Sequence, residues 1–399
     1  MRLKGGLPTI AVRDIVIQAR ESDLVIATFG RGFYVLDNIA PLRQIKAESL
    51  DQVSMLLPVK DSLLYIERHP LGEPKKGFQG DAFYTAENPP YGAVFTAYLK
   101  DKIKTQKGKR QDAEKDAAKK GQTLPYPSID ELRVEVEEAK PELYFLIYDE
   151  SGAPIRRIEG SVDSGFQRAA WDLRYAAPTL REGHGEEGEE DFPPAATMGT
   201  LVMPGNYSVR MFEKVQEKVT ELGAAQPFKV EAQGASVVNA GDRVAQEEFR
   251  RKVARLYRAV WGAEHSADEV EARLKSIREA LREVPAVEKD LGAAADSIEQ
   301  RDREIQRALT GDKVLQRHNE PAPSSIDDRV SAIMEGERFS LSAPTQTHID
   351  NYNIAAQEFA GDLEKLRVLV DSDMSKLEKD MEAAGAPWTP GRVPVWSEK

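Results

Sequence analysis

The 399-residue chain contains no cysteine, which removes disulfides, thiol nucleophiles and thiolate metal sites together. Long apolar runs are missing too. None reaches the ~18 residues that span a bilayer, so no membrane-spanning segment is expected. The first residues, Met1-Arg-Leu-Lys-Gly-Gly-Leu-Pro8, lack the apolar core of a secretion signal. Histidine is scarce: His69, His184, His265, His318 and His348 never fall at an i, i+4 ligand spacing. There is no P-loop, no G-x-S-x-G and no Ser-His-Asp order. The net charge of -12 argues against nucleic acid or an anionic membrane as a general partner. The residues therefore assign no catalytic, cofactor-binding or metal-ligating position, and no cofactor. Carboxylates that are distant in sequence but converge in space stay open as a catalytic pair.

What is present is a mixture of short apolar runs and long periodic ones. At this length two or three domains are expected. Near the start, Leu24, Val25, Ile26 and Ala27 form one apolar run and Phe33 to Leu36 another, with Gly30 and Gly32 bracketing Arg31 in a turn. This is a β-hairpin whose two faces both want burial. A lone hairpin is marginal in water, so the pattern asks for neighbouring strands that the chain does not supply. The expectation is that the chain begins in the middle of a fold and is a fragment of something larger.

The run Asp23-Leu-Val-Ile-Ala-Thr-Phe-Gly-Arg-Gly-Phe-Tyr-Val-Leu-Asp-Asn-Ile-Ala-Pro-Leu-Arg43 resembles the closing blade of the sortilin-like, bacterial-neuraminidase-repeat β-propeller proteins, a family often labelled glycosyl hydrolases. Their usual wording here is T-H-G-R-G-x-W-I-L-D-D-x-x-P-L-R. Phe29 stands in place of the usual His, so the packing role of the segment survives better than a polar one. The similarity continues through Asn88 to Phe95, Trp171-Asp-Leu-Arg-Tyr175 and Pro204 to Arg210. The resemblance implies that the missing propeller blades, or a protein partner, complete the structure. It also implies a periplasmic or extracellular location and a catalytic or ligand-binding region lying in those blades. The function expected is a non-catalytic module that closes or braces a propeller in an exported bacterial protein. Two alternatives stand beside it: part of a sialidase-like glycoside hydrolase, and a carbohydrate- or protein-binding module using Trp171 or Tyr175.

Beyond the blade remnant, 1–45, residues 46–79 read as a linker with one short strand near Leu63 to Ile66. From 80 to 235 short β-rich runs alternate with Gly/Pro turns, which predicts an antiparallel immunoglobulin-like sandwich. Its core candidates are Phe145, Ile147, Trp171, Tyr207 and Val209. A charged insertion at 100–140 interrupts it. Within residues 100–120, nine Lys/Arg face four acids, a net of +5. No aromatic residue interleaves with these charges, so a solvated helical hairpin is preferred to a nucleic-acid or polymer arm. The acidic stretch Arg181 to Asp191, with His184, lacks the ligand spacing of an EF-hand and reads as a mobile loop. Ser161-Val-Asp-Ser-Gly165 begins like an Asp-box but has Arg168 where its Trp would stand. Asn206-Tyr-Ser208 has the form of a glycosylation acceptor, in the turn that starts a strand.

The period becomes helical from about residue 236 to 399. Phe249, Val253, Leu256 and Val260 share a stripe, as do Val270, Leu274, Ile277 and Leu281, and then Val287, Leu291, Ala294 and Ile298. Pro285 separates the second helix from the third. The longest seam runs Ile349, Tyr352, Ala356, Phe359, Leu363, Leu366, Val370, and resumes at Met374, Leu377 and Met381 after one added residue. These spacings predict an α-helical bundle of four or five helices packed on each other.

Overall fold

The computed structural model describes residues 6–7, 9–67, 86, 88–122, 124, 126–179, 198–233, 240–338, 340, 342–393 and 396. It is 45% helical and 23% strand, with three separate sheets among the described residues. The chain divides into two compact units, one made of Met1–Glu67, Lys76–Ala176 and Val202–Ser236, the other of Arg68–Lys75, Ala177–Leu201 and Val237–Lys399.

All eleven strands among the described residues lie in the first unit. Strands β1 (Val12–Gln18), β2 (Asp23–Thr28) and β3 (Phe33–Leu36) form an antiparallel sheet of their own. A second sheet has the order β5-β11-β10-β7-β8, from β5 (Ser62–Leu64), β7 (Glu142–Tyr148), β8 (Pro154–Gly160), β10 (Gly205–Val215) and β11 (Lys218–Ala232). The third sheet joins β4 (Ser54–Leu56), β6 (Ala93–Leu99) and β9 (Gly165–Trp171).

The last two sheets close over one core. Alternation along β7 puts Leu143, Phe145 and Ile147 on its buried face, and β10 adds Tyr207, Val209 and Met211. Phe95 of β6 reaches across to Phe145, at 5.7 Å between ring centroids, and to Phe228 of β11 at 5.8 Å. Trp171 completes this cluster against Tyr207 and donates its indole N–H to the Arg174 carbonyl at 2.8 Å. The stretch 46–67, expected as linker, supplies β4 to one sheet and β5 to the other. Both are only three residues long, too short for a period to show. The turn between β7 and β8 is drawn by Asp149, whose Oδ1 accepts from the amides of Ser151 and Ala153, while Gly152 supplies the positive φ that the turn demands.

The charged insertion forms α1 (Gln106–Lys119) and α2 (Ile129–Glu137), each opened by a side-chain cap, Thr105 and Ser128. Arg110 clamps the two together through both oxygens of Glu135, at 2.6 and 2.8 Å. The basic charge of α1 is thus answered within the insertion.

In the second unit, α3 (Ala240–Leu281), α4 (Pro285–Thr310), α6 (Ile326–Arg338), α7 (Gln346–Arg367) and α8 (Ser375–Ala383) pack around a shared apolar core, while the short α5 (Lys313–Arg317) adds no buried residue to it. The stripes at 249–260 and 270–281 belong to one continuous helix, because no Pro interrupts 261–269 and Ala263 and Ala267 carry the buried face across. The one-residue skip in the final seam is a π-helical stretch, Val368–Met374, between α7 and α8. A π turn absorbs one extra residue. It leaves Leu366, Leu369 and Met374 buried, while Val370 is only partly covered. One end of this core is held by Arg250, whose Nε pairs with Glu337 at 2.7 Å with both groups buried. Its Nη2 donates to the Ser340 carbonyl at 2.5 Å, and His348 sits 3.3 Å from the other Glu337 oxygen.

Candidate functional site

The sheet β1–β3 differs from the rest of its unit in having no covered face. Its register places Ile15, Ile26 and Tyr34 in one cross-strand row, and Ile17, Leu24 and Leu36 in the next. Directly opposed residues share a face, so this face is apolar from edge to edge. The other face carries the row Val16, Val25 and Val35 and, beside it, Asp14, Ala27 and Phe33. It too is apolar along these rows apart from Asp14, and turns polar at the row of Gln18 and Asp23 beside the β1–β2 turn. Ile15 is 56% exposed, Val16 55% and Phe33 77%, with Ile17 and Val35 also exposed.

An antiparallel sheet at a protein surface ordinarily alternates apolar-in with polar-out. Here successive residues of β1, Ile15, Val16 and Ile17, point apolar side chains to both sides. Among the described residues, no strand pairs with the outer edge of β1 or of β3. The first half of β1 carries the features that blunt an edge, the charges of Arg13 and Asp14 and an irregular register between Val12 and Asp14. Arg13 lies over the exposed Phe29 ring at 4.6 Å. The second half of β1 and all of β3 have no such protection.

Among the described residues, the polar contacts that tie the sheet to its unit gather at one end. Arg168 on β9 donates from Nη2 to the carbonyls of Asp37 (2.8 Å) and Asn38 (3.0 Å) just after β3. Glu21, in the turn between β1 and β2, pairs with Lys60, and that ammonium holds the Glu21 carboxyl below the usual range. The Asn38 amide donates to Asp23 at 2.9 Å and the Ile39 amide to the Ser22 carbonyl at 2.8 Å. At the opposite end the glycines of the β2–β3 turn, Gly30 and Gly32, adopt φ of +77° and +71°, which L side chains rarely adopt. The Thr28 amide and hydroxyl both close on the Gly32 carbonyl.

The other residues singled out in the sequence do not gather into a site. Trp171 is 0% exposed and cannot stack on a sugar, which corrects its candidacy as a carbohydrate platform: its edge-on contacts with Tyr207 and Phe228 make it core. Tyr175 is half-buried. Asp163 of the Asp-box-like run pairs with Lys102 at 2.7 Å. Asn206 is exposed at the start of β10. The acidic run 181–191 with His184 lies outside the described residues. Among the described residues no group of three His, Asp or Glu could hold a metal ion, and no helix is long and apolar enough to cross a membrane. The chain matches no family model, no curated protein and no solved structure.

Proposed function

We propose that this chain is a non-catalytic accessory module that closes or braces a sortilin-like β-propeller in an exported bacterial protein, with β1–β3 as its share of a blade. In this reading the two sheets that share the Phe95–Phe145 core form an immunoglobulin-like sandwich. The helices α3–α8 form a bundle. The observation that carries the proposal is the pair of apolar faces on β1–β3. A sheet with one apolar face needs one covering layer, whereas this sheet needs two. Propeller blades are the arrangement in which a small antiparallel sheet is sandwiched between like sheets on both sides. The one-ended anchoring by Arg168 and Lys60 fits an element held by its module yet left free to receive neighbours.

The test begins with the coding DNA on either side of this reading frame, which should encode further blades. A chain carrying those blades should protect the β2 amides from hydrogen exchange at least about tenfold more than the present chain does. Double substitution Val16→Lys with Phe33→Lys should abolish that gain. Absence of blade repeats, or equal protection with and without them, contradicts the proposal. The same reading expects only background turnover of chromogenic sialosides and common aryl glycosides by this chain. Turnover abolished by a single carboxylate substitution would favour the glycoside hydrolase instead.

A further inference from the structure

Among the described residues, the helical unit contains carboxyl groups with no ion-pair partner. On α3, Glu264, Asp268 and Glu271 follow spacings of four and three and so lie along one stripe. Two neighbouring helices set acids towards it, Asp302 buried and Asp327 half-buried. Asp302 of α4 is 1% exposed; its Oδ2 accepts from Gln306 at 3.0 Å, and its Oδ1 is buried with no partner among the described residues. Asp327 of α6 accepts from the Ser331 hydroxyl at 3.2 Å. Glu264 itself has Oε1 sealed from solvent without a partner.

An ionised carboxylate with an unsatisfied buried oxygen is costly, whereas a protonated one is tolerated. Burial pushes Asp302 up to about 7, helped by Glu271 and Asp268 from α3 and Glu299 from its own helix. Burial likewise pushes Glu264 up to about 7, with Asp327 and Asp268 adding to the rise, and His265 on α3 and Lys313 on α5 opposing it. Burial raises Asp327 as well, with Asp328 adding to it and the Ser331 hydrogen bond opposing. Glu299 is already committed to Arg278 and Arg303 and is held below the usual range. α4 also packs on α6, α7 and the π segment with α8, but the charges acting on Asp302 come from α3 and α4.

We propose that the carboxyls buried between α3, α4 and α6 make the helical unit an acid-tightened switch, closing as Glu264 and Asp302 take up protons and loosening as they ionise. The unfolded chain releases these protons near pH 4 to 4.5, the ordinary carboxylate range, and the folded chain near 7. Between those values only the folded state holds them. Stability from this source is therefore greatest at low pH and is lost as pH rises through about 7.

The experiment is peptide-resolved hydrogen exchange on the full chain at pH 8 and pH 6, expressed as protection factors, with β7 and β10 as internal reference. Protection across residues 257–305 should rise about tenfold per carboxyl between pH 8 and pH 6, because each proton held only by the folded state changes the folding constant about tenfold per pH unit. The isosteric variants Glu264→Gln and Asp302→Asn should show raised protection at both pH values, about tenfold more at pH 8 than at pH 6, and so a flattened pH response, most completely in the double variant. A purely structural role for these carboxyls would instead lower protection at both pH values. That result, or an unaltered pH response in the double variant, overturns the proposal.

Discussion

Two sheets of the first unit are built from the same residue types and reach opposite ends. In β7 and β10 every second residue enters a core, so Leu143, Phe145, Ile147, Val209 and Met211 are sealed. In β1–β3 the same kinds of side chain, Ile15, Val16, Ile17, Phe33 and Val35, stand in solvent. Propensity does not separate them, since both are rich in β-branched and aromatic residues. What separates them is the second layer. β7 and β10 lie under β6 and β9, whereas β1–β3 is tied to the unit by a few polar contacts at one end. Strand formation and strand burial are thus distinct events, and it is the uncovered apolar sheet on which the proposed docking role rests.

The contrast has measurable consequences. Phe145→Ala should cost about 3–5 kcal/mol in denaturant unfolding, because it opens a cavity between two sheets. Within the helical unit, Leu366→Ala should cost about 2–5 kcal/mol, while its outward neighbour Glu364→Ala should stay within about 0.5 kcal/mol; a Leu366 variant with unchanged stability but a lost complex would make that seam an interface. Arg168→Ala removes two hydrogen bonds to the carbonyls after β3 and should cost about 1 kcal/mol. Its exchange signature should be confined to β1–β3, and spread into β9 would show that the anchor also supports the core. The smallest effect belongs to Phe33→Ala, within about 0.5 kcal/mol for the chain by itself, despite removing an aromatic ring as large as that of Phe145.

Much of this organisation was legible in the sequence where a period was long or a turn residue explicit. The stripes of α3, α4 and α7 announced themselves, Pro285 marked a true helix boundary, and the extra residue before Met374 coincides with the π stretch. What stayed hidden had weak local signals. β1 carries no alternation, since both its faces are apolar. The β10–β11 hairpin turns through Gln216 at φ +56°, without the Asn-Gly or Gly signal such a turn usually carries, so nothing local marks where it turns. Asp302 carries no local sign of burial; the packing of α4 on α3 covers it.

Hydrogen exchange of the β2 amides in this chain tests directly whether β1–β3 is a sheet still lacking its neighbours. As the central strand, β2 has every ladder hydrogen bond it can make, so its protection reports packing rather than pairing. The expected result is exchange at least about 100-fold faster than in β7 and β10, as for an element opening independently of the core. Protection of β2 equal to that of β7 would mean that the sheet is complete as it stands, and the docking role assigned to it would fall.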